Sequence, residues 1–118
     1  MITLILVHRI PNLPTQSWTF EDESVIRIGR SSDNHVIIHS AVVSRYHVEL
    51  QRKGCKWKIL NLGGNGTYSD ENLITQAPVV DGMLLRLARS GPQLQIKVGA
   101  NVFKNTPKIL PAKEVLAG

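Results

Sequence analysis

Three short polar segments contain the residues of this chain that could do chemistry. Each one borders a strand-like segment, and together they are Gly29-Arg30-Ser31-Ser32, Ser44-Arg45-Tyr46-His47 and Asn65-Gly66-Thr67. Arginine binds phosphate well because its planar guanidinium offers several donors and keeps its charge. Beside Arg30, Ser44 can add a hydroxyl donor and Arg45 a second charge. We therefore expect these segments to form loops that bind a phosphate attached to a peptide.

Two further positions support peptide binding, although each also has a purely structural explanation. The amide of Asn65 carries a donor group and an acceptor, so it can bond both sides of a peptide backbone. Asn65-Gly66 is also a common turn dipeptide, which would aim this side chain and leave Thr67 to support it from below. Gly29 lets the backbone approach a ligand closely, or it simply ends a strand before an exposed Arg30.

The same residues give little support for catalysis. His47 follows Ser44 by three residues, a spacing that raises the question of a Ser-His nucleophile. The sequence has no Gly-x-Ser-x-Gly elbow and no evident carboxylate to orient the imidazole. It also lacks a metal-ligand cluster and a P-loop. We predict a hydrogen-bonded structural histidine, no metal or cofactor site, and a protein that is not an enzyme.

Length and composition predict one globular domain in a reducing compartment. The chain has 118 residues, of which 42% are hydrophobic and 19% are charged. Cys55 is the single cysteine, so neither an internal disulfide nor a cysteine-based zinc site can form.

Met1–Arg9 lacks a basic start and a small-residue cleavage site, which indicates a first strand rather than a signal peptide. No apolar stretch is long enough to span a membrane, and the predicted location is the cytoplasm.

The net charge of +5 raises the question of a nucleic-acid partner. A basic cluster, formed by Arg52, Lys53, Lys56 and Lys58, falls on one predicted hairpin. Nucleic-acid binders usually interleave such a patch with stacking aromatic residues, and aromatic residues are only 5% of this chain. The acidic run Glu21–Glu23 adds negative charge, opposite in sign to that of the basic cluster. The pattern argues against nucleic acid, which remains a lesser hypothesis.

Apolar residues recur in short runs or at every second position, with turn residues between them. This pattern predicts ten strands, at 2–7, 18–20, 25–28, 35–38, 46–51, 57–60, 67–68, 73–75, 84–88 and 94–98. Many short strands at such spacing are typical of an antiparallel β-sandwich or barrel, in which loops carry the function. We predict a domain over residues 1–99. Residues 100–118 would be a C-terminal extension or linker, with a short helix over 112–116 as an alternative.

The ordered set Gly29-Arg30, Ser44-x-x-His47 and Asn65-Gly66-Thr67 resembles the forkhead-associated (FHA) domain family. The resemblance covers about residues 2–98 and extends to Trp57-Lys58-Ile59 and Val80-Asp81-Gly82. It implies a small bacterial-type module, either stand-alone or N-terminal. The implied fold is all-β, an antiparallel β-sandwich of about eleven strands of the SMAD/FHA type, which binds phosphothreonine peptides through loops at one end.

The resemblance also implies roles for individual residues. Arg30 and Ser44 would hold the phosphate with help from Arg45, and Asn65 would bond the peptide main chain. The loop-supporting positions would be Gly29, His47, Gly66 and Thr67. The implied function is a non-catalytic adaptor in Ser/Thr kinase signalling. Its partner would be a phosphothreonine-containing protein or peptide, supplied by a Ser/Thr kinase or its substrate, and its oligomeric state stays open.

The chain departs from the family pattern in one of the binding loops. The segment Asn61–Asn65 is one residue shorter than usual, and Gly64 stands where a Ser or Thr hydroxyl often occurs. Gly64 is therefore a candidate selectivity position. Val42 and Val43 are two more, because the loop before Ser44, His39–Val43, is small and apolar. The alternative function is a phosphate-independent interaction or self-association module, in which the apolar first strand pairs edge to edge with another copy.

Overall fold

The computed structural model describes residues 1–7 and 16–99, which form eleven β-strands. The first six are β1 (Ile2–Val7), β2 (Ser17–Phe20), β3 (Val25–Gly29), β4 (Val36–Ile37), β5 (Val48–Lys53) and β6 (Lys56–Asn61). The other five are β7 (Thr67–Ser69), β8 (Asn72–Ile74), β9 (Gln76–Pro78), β10 (Leu84–Leu87) and β11 (Gln93–Val98). The predicted C-terminal extension at 100–118, with its alternative helix, lies outside the described residues.

The strands form two sheets that pack face to face. One has six strands in the order β2-β1-β11-β10-β7-β8, and the other has five in the order β4-β3-β5-β6-β9. Neighbouring strands run antiparallel except for the short parallel pair of β3 and β4. The predicted all-β sandwich of about eleven strands is confirmed. Within the described residues, no helix has the length and apolar character needed to cross a membrane.

One hydrophobic core fills the space between the two sheets. Alternate residues of each strand point into it, because successive side chains of a strand face opposite sides of the sheet. Fully buried aliphatic side chains come from both sheets, namely Ile2, Leu4, Leu85, Leu87, Leu94 and Ile96 from one, and Ile26, Ile28, Val36, Val48, Leu50 and Ile59 from the other. Each such side chain gains about 1.5 to 3 kcal/mol from burial relative to full exposure.

The observed strands differ from the predicted ones in β4, β5 and β9, besides shifts of one residue at other strand ends. The strand predicted at 46–51 is observed at Val48–Lys53, so Tyr46 and His47 belong to the loop before it. The pattern missed β9, because Gln76-Ala77-Pro78 has no apolar alternation and contains a proline. Proline is tolerated there because β9 pairs only with β6, at the edge of its sheet. The strand predicted at 35–38 is limited to Val36–Ile37, and it pairs only with β3.

The first strand is not an edge strand, which corrects the basis of the self-association hypothesis. β1 pairs with β11 on one side and with β2 on the other. Its main-chain donors and acceptors are therefore already used within the sheet. Edge-to-edge pairing through β1 would require β2 to leave first, so the apolar character of this strand reflects its central position.

The strand register brings several loops to one end of the sandwich, which we call the loop end. In β5 and β6, Val48 lies opposite Asn61, and Lys53 lies opposite Lys56. The loop before β5 and the loop after β6 are therefore at the same end, while the hairpin tip is at the other. Ile28 of β3 also lies opposite Val48, so the loop after β3 starts at the loop end.

Gly29 ends β3 at a point where the backbone of another loop passes very close. A Cβ atom at this position would lie 2.2 Å from the carbonyl oxygen of Arg45, well inside van der Waals contact. The close approach allows the N–H of Arg30 to bond the carbonyl oxygen of Ser44 at 3.0 Å. Glycine is therefore required for the loops to pack in this way.

We predict that Gly29→Ala lowers the free energy of unfolding by about 3 kcal/mol, because the backbone must move to admit the methyl group. Gly64→Ala is the matched control, since a Cβ atom at Gly64 would meet no atom within 4 Å. The control should stay within about 0.5 kcal/mol of the unsubstituted protein. Urea unfolding of both variants measures the difference, and equal stabilities would show that the loops are not packed against Gly29.

Candidate functional site

Three loops at the loop end carry the residues singled out by the sequence, and we call loops 30–35, 38–47 and 62–66 the site loops. The first two run side by side, since the N–H groups of Arg30 and Ser31 bond the carbonyl oxygens of Ser44 and Arg45 at 3.0 and 3.2 Å. The third joins them at His47, whose carbonyl oxygen accepts the N–H of Leu62 at 2.8 Å. The predicted segments therefore do meet.

Arg30 is exposed, and its guanidinium is held in a defined orientation. Its Nε donates to the carbonyl oxygen of Val43 at 3.0 Å. The remaining N–H donors of this guanidinium have no partner among the described residues. A cation fixed at one edge and open at the other is suited to bind an oxyanion, because the ordering of the side chain precedes ligand binding.

Ser44 and Arg45 directly follow Val43, whose carbonyl oxygen holds this guanidinium, on the second site loop. The Ser44 hydroxyl bonds no described residue, and it lies against Gly63, where a Cβ atom would come within 2.5 Å of its Oγ. The side chain of Arg45 is exposed. Its carbonyl oxygen is used instead, as an acceptor for the N–H of Ser31 and for the Asn34 amide. The loop end therefore presents two guanidinium groups and a hydroxyl.

Asn65 joins the third site loop to the second. Its Nδ2 donates one of its two N–H groups to the carbonyl oxygen of Val42 at 2.8 Å, which leaves the second N–H as a donor and Oδ1 as an acceptor. Gly64 beside it is exposed and has open space around it. A peptide can therefore bond the second N–H and Oδ1 of Asn65 while the contact to Val42 is kept.

The two valines predicted as selectivity positions differ in accessibility. Val43 is 1% exposed and belongs to the hydrophobic core, so its side chain cannot contact a ligand directly. This corrects the prediction for Val43, whose contribution is the carbonyl oxygen that orients Arg30. Val42 is half-buried, so part of its side chain reaches the surface.

His47 is fully buried and connects the second and third site loops. Its Nε2 lies 2.7 Å from the carbonyl oxygen of Gly66, and its Nδ1 accepts the N–H of Ser44 at 3.0 Å. Since a carbonyl oxygen can only accept, Nε2 carries the proton. The neutral imidazole is thus satisfied at both nitrogens, which leaves neither free to activate the Ser44 hydroxyl.

A short hydrogen-bond chain supports the base of the third site loop. The buried Thr67 hydroxyl donates to Asn61 Oδ1 at 2.7 Å, and Asn61 Nδ2 donates to the carbonyl oxygen of Gly63 at 3.0 Å. Gly66 has a positive φ of 85°. Its carbonyl oxygen accepts the N–H of Ala88 at 2.9 Å as well as the His47 ring. These contacts hold the loop that carries Asn65.

The first site loop contains supporting residues that the sequence pattern did not indicate. Asn34 is buried, and its Nδ2 donates to the carbonyl oxygens of Ser31 and Arg45 at 2.9 and 2.7 Å. Asp33 accepts hydrogen bonds from the Ser31 and Tyr46 hydroxyls at 2.6 and 2.7 Å. The bond from Ser31, and to a smaller extent the bond from Tyr46, lowers the pKa of Asp33 below its usual value. The sequence pattern of Ser31–Asn34 indicates only a turn, since the bonds to Arg45 and Tyr46 join residues that are distant in sequence.

The assembled groups can bind an anion, and they lack the features that bond cleavage needs. Donors come from all three site loops: Arg30 from the first, Ser44 and Arg45 from the second, and the Asn65 amide from the third. The nearby Asp33 carboxylate is already engaged, and His47 is buried and neutral. Over the ranges 1–7 and 16–99, no three potential metal ligands come together. The geometry therefore favours recognition of an oxyanion.

Burial lowers the pKa of His47 below its ordinary value of 6.5, and the bond to Gly66 opposes this shift only in part. The unfolded chain therefore takes up a proton near pH 6.5 while the folded chain does not. We expect the free energy of unfolding to decrease as the pH falls below about 6.5, by up to about 1.4 kcal/mol per pH unit from this residue, until the folded-state pKa is passed.

NMR titration of the His47 ring, combined with urea unfolding at several pH values, tests this expectation. The ring should titrate with a midpoint below 6.5 and show the Nε2-protonated tautomer at pH 7. A midpoint at or above 6.5, or a proton on Nδ1, would contradict the hydrogen-bond arrangement around this residue.

Solved structures with the same fold include FHA domains. The chain is similar to the FhaA FHA domain complexed with the intracellular domain of Rv3910, at 22% identity and a TM-score of 0.70, covering 82% of this chain and 100% of that one. It is similar to an FHA domain studied for phosphothreonine-dependent interactions, at 23% identity and a TM-score of 0.69, with 85% and 98% covered. It also matches Mycobacterium tuberculosis EmbR in complex with a low-affinity phosphopeptide, at 24% identity and a TM-score of 0.65, covering 86% of this chain and 26% of EmbR.

No curated protein sequence matches the chain significantly. A family model described as FHA domain matches residues 26–88, which is more than half of the 118-residue sequence. This match spans all three site loops and the strands that carry them. The chain therefore belongs to the FHA domain family.

Proposed function

We propose that this FHA domain binds phosphothreonine peptides and acts as a non-catalytic adaptor in Ser/Thr kinase signalling. The observation that carries the proposal is the orientation of Arg30 by the carbonyl oxygen of Val43, the residue directly before Ser44, whose hydroxyl bonds no described residue. The partner is a protein phosphorylated by a Ser/Thr kinase, or the kinase itself.

In this proposal the phosphate is held by residues of two site loops. The open edge of the Arg30 guanidinium donates to phosphate oxygens, and the Ser44 hydroxyl donates to another. Arg45 adds a second positive charge from the exposed surface. Charge-assisted hydrogen bonds of this kind are about twice as strong as neutral ones, which allows a short peptide to bind.

Asn65 contacts the peptide main chain beside the phosphothreonine. Its Oδ1 can accept a peptide N–H without any change in the loop, since only Nδ2 is bonded to Val42. The partly exposed Val42 and the open surface at Gly64 are the positions where neighbouring peptide residues influence selectivity. The missing hydroxyl at Gly64 removes one donor from the third site loop.

The comparisons support the proposal at the level of the family. The FhaA FHA domain has been solved with an intracellular domain of another protein, and EmbR with a phosphopeptide. We further propose that residues 1–99 form the FHA domain and that 100–118 are an extension or linker. A cytoplasmic location fits the exposed thiol of Cys55, which a reducing compartment would keep free.

The basic cluster lies on the β5–β6 hairpin, where its surroundings do not favour a nucleic-acid partner. The tip of this hairpin is at the other end of the sandwich from the site loops. The N–H of Arg52 bonds the carbonyl oxygen of Ser24 at 2.8 Å, which places the acidic run Glu21–Glu23 next to the hairpin. Positive charge at this end is therefore accompanied by negative charge, which weakens attraction to a polyanion.

We predict that Arg30→Ala weakens binding of a phosphothreonine peptide by about 1.5 to 3 kcal/mol, because a direct charge-assisted bond is lost. Arg52→Ala is the matched control, since it removes the same charge at the opposite end. Isothermal titration calorimetry with a degenerate phosphothreonine library, followed by single peptides, measures both. The phosphoserine version should bind less well by about 1 kcal/mol, the value of one buried methyl group.

Equal losses in Arg30→Ala and Arg52→Ala would show that only net charge matters, and no loss in either would remove Arg30 from the site. Equal affinity for phosphorylated and unphosphorylated peptides would contradict the proposed function itself.

Asn65→Ala should weaken binding of the same phosphopeptide about fivefold, which corresponds to roughly 1 kcal/mol for one main-chain hydrogen bond. Asn72→Ala, an exposed asparagine on β8, serves as the control and should bind as the unsubstituted protein does. Fluorescence anisotropy with a labelled peptide measures both affinities. If Asn65→Ala binds with unchanged affinity, this side chain does not contact the peptide.

A further inference from the structure

A second polar feature lies on the outer face of the six-stranded sheet, away from the residues assigned to phosphate. It is a cleft of about 380 Å³ lined by Tyr68, Glu71, Arg86 and Arg89, which we call the outer cleft. Arg86 lies in register with Tyr68 on β7 and with Gln93 on β11. Its neighbours in sequence, Leu85 and Leu87, are fully buried, so Arg86 is on the side of the sheet that faces away from the core.

Arg86 is half-buried and has no hydrogen bond or ion pair with any described residue. A partly desolvated guanidinium without a partner is unfavourable, because the charge loses part of its hydration and gains nothing in return. Arg89, which is exposed, adds a second cation to the same cleft. Neither Arg86 nor Arg89 forms an ion pair with a described residue, and two such arginines around one cleft indicate that it binds an anion.

The outer cleft is joined to the third site loop through Gly66. A Cβ atom on Gly66 would lie 3.4 Å from the Tyr68 ring and 3.5 Å from its hydroxyl, so the tyrosine extends toward this loop. The Gly66 carbonyl oxygen bonds the N–H of Ala88, and Arg89 follows directly. The cleft and the loop of Asn65 thus form one continuous surface that a single polypeptide can cover.

We propose that the outer cleft binds an acidic side chain, Asp or Glu, of the same polypeptide whose phosphothreonine occupies the site loops, an inference that rests on the proposed function. The carboxylate accepts hydrogen bonds from Arg86 and Arg89, and the Tyr68 hydroxyl can donate a further one. A carboxylate fits better than a second phosphate, because the Glu71 carboxylate reduces the charge of the cleft to about that of one cation.

Glu71 opposes the incoming acidic group and thereby limits its affinity. It lies in the turn between β7 and β8 with a positive φ of 65°, and it forms no ion pair with either arginine. Its negative charge therefore remains in the cleft. Glu71→Gln removes this charge and keeps the shape of the side chain, so it should strengthen binding of an acidic residue.

The experiment uses the full chain and two series of phosphothreonine peptides. In each series a Gly-Ser spacer of variable length, on either side of the phosphothreonine, leads to three Asp residues or to three Asn residues. At the best spacer length, calorimetry should show the Asp peptide binding about fivefold more tightly than its Asn counterpart. Arg86→Gln should abolish this ratio, and Glu71→Gln should increase it, while affinity for the Asn peptide stays unchanged in both variants.

Lys97→Gln is the matched control, because Lys97 is an exposed cation elsewhere on the outer face of the same sheet. It should leave the Asp-to-Asn ratio intact. A comparable decrease in the ratio with Lys97→Gln would mean that general charge attraction, not the cleft, is responsible. If Arg86→Gln does not fold, Arg89→Gln takes its place, since Arg89 is exposed.

The two proposals fail in different ways. Phosphate-dependent binding with equal affinity for Asp and Asn peptides at every spacer length would overturn the inference and leave the proposed function standing. Loss of phosphate dependence would overturn the proposed function. In that case NMR titration with the unphosphorylated Asp peptide still decides about the cleft: shifts confined to Tyr68, Arg86 and Arg89 would support it, and their absence would overturn it.

Discussion

The buried imidazole of His47 is the constraint on which the site depends. Its side chain accepts from the second site loop and donates to the third, while its main chain bonds Ile28 on β3 and Leu62 after β6. A single residue therefore fixes the spacing of loops that are distant in sequence. This bridge requires a neutral ring. A second ring proton, on Nδ1, would remove the acceptor for the N–H of Ser44.

The side chains proposed to meet the ligand are ordered before it arrives. Arg30 and Asn65 donate to the carbonyl oxygens of two consecutive residues, Val43 and Val42, so both are anchored on one stretch of backbone. An arginine that is already oriented loses less conformational entropy on binding than a freely rotating one. The second site loop thus acts as a frame for groups contributed by its neighbours.

The sequence predicted the sandwich well because its buried strands alternate apolar and polar residues. β9 was missed because Gln76–Pro78 lies at an edge and buries little. The sequence does not show which of the adjacent Val42 and Val43 is buried, since only the tertiary packing decides which one enters the core. The sequence also gave no indication of Asn34, whose bond to Arg45 joins residues on different loops. Local patterns thus predict strands, while cross-loop hydrogen bonds require the fold.

The position of Cys55 has a practical value. This exposed residue is the single thiol of the sequence, and it is located at the tip of the β5–β6 hairpin, at the end of the sandwich away from the site loops. A maleimide dye or a biotin attached there would sit far from the loop end. The protein can therefore be immobilised on a surface in one orientation, with the site loops facing the solution, without any substitution in its sequence.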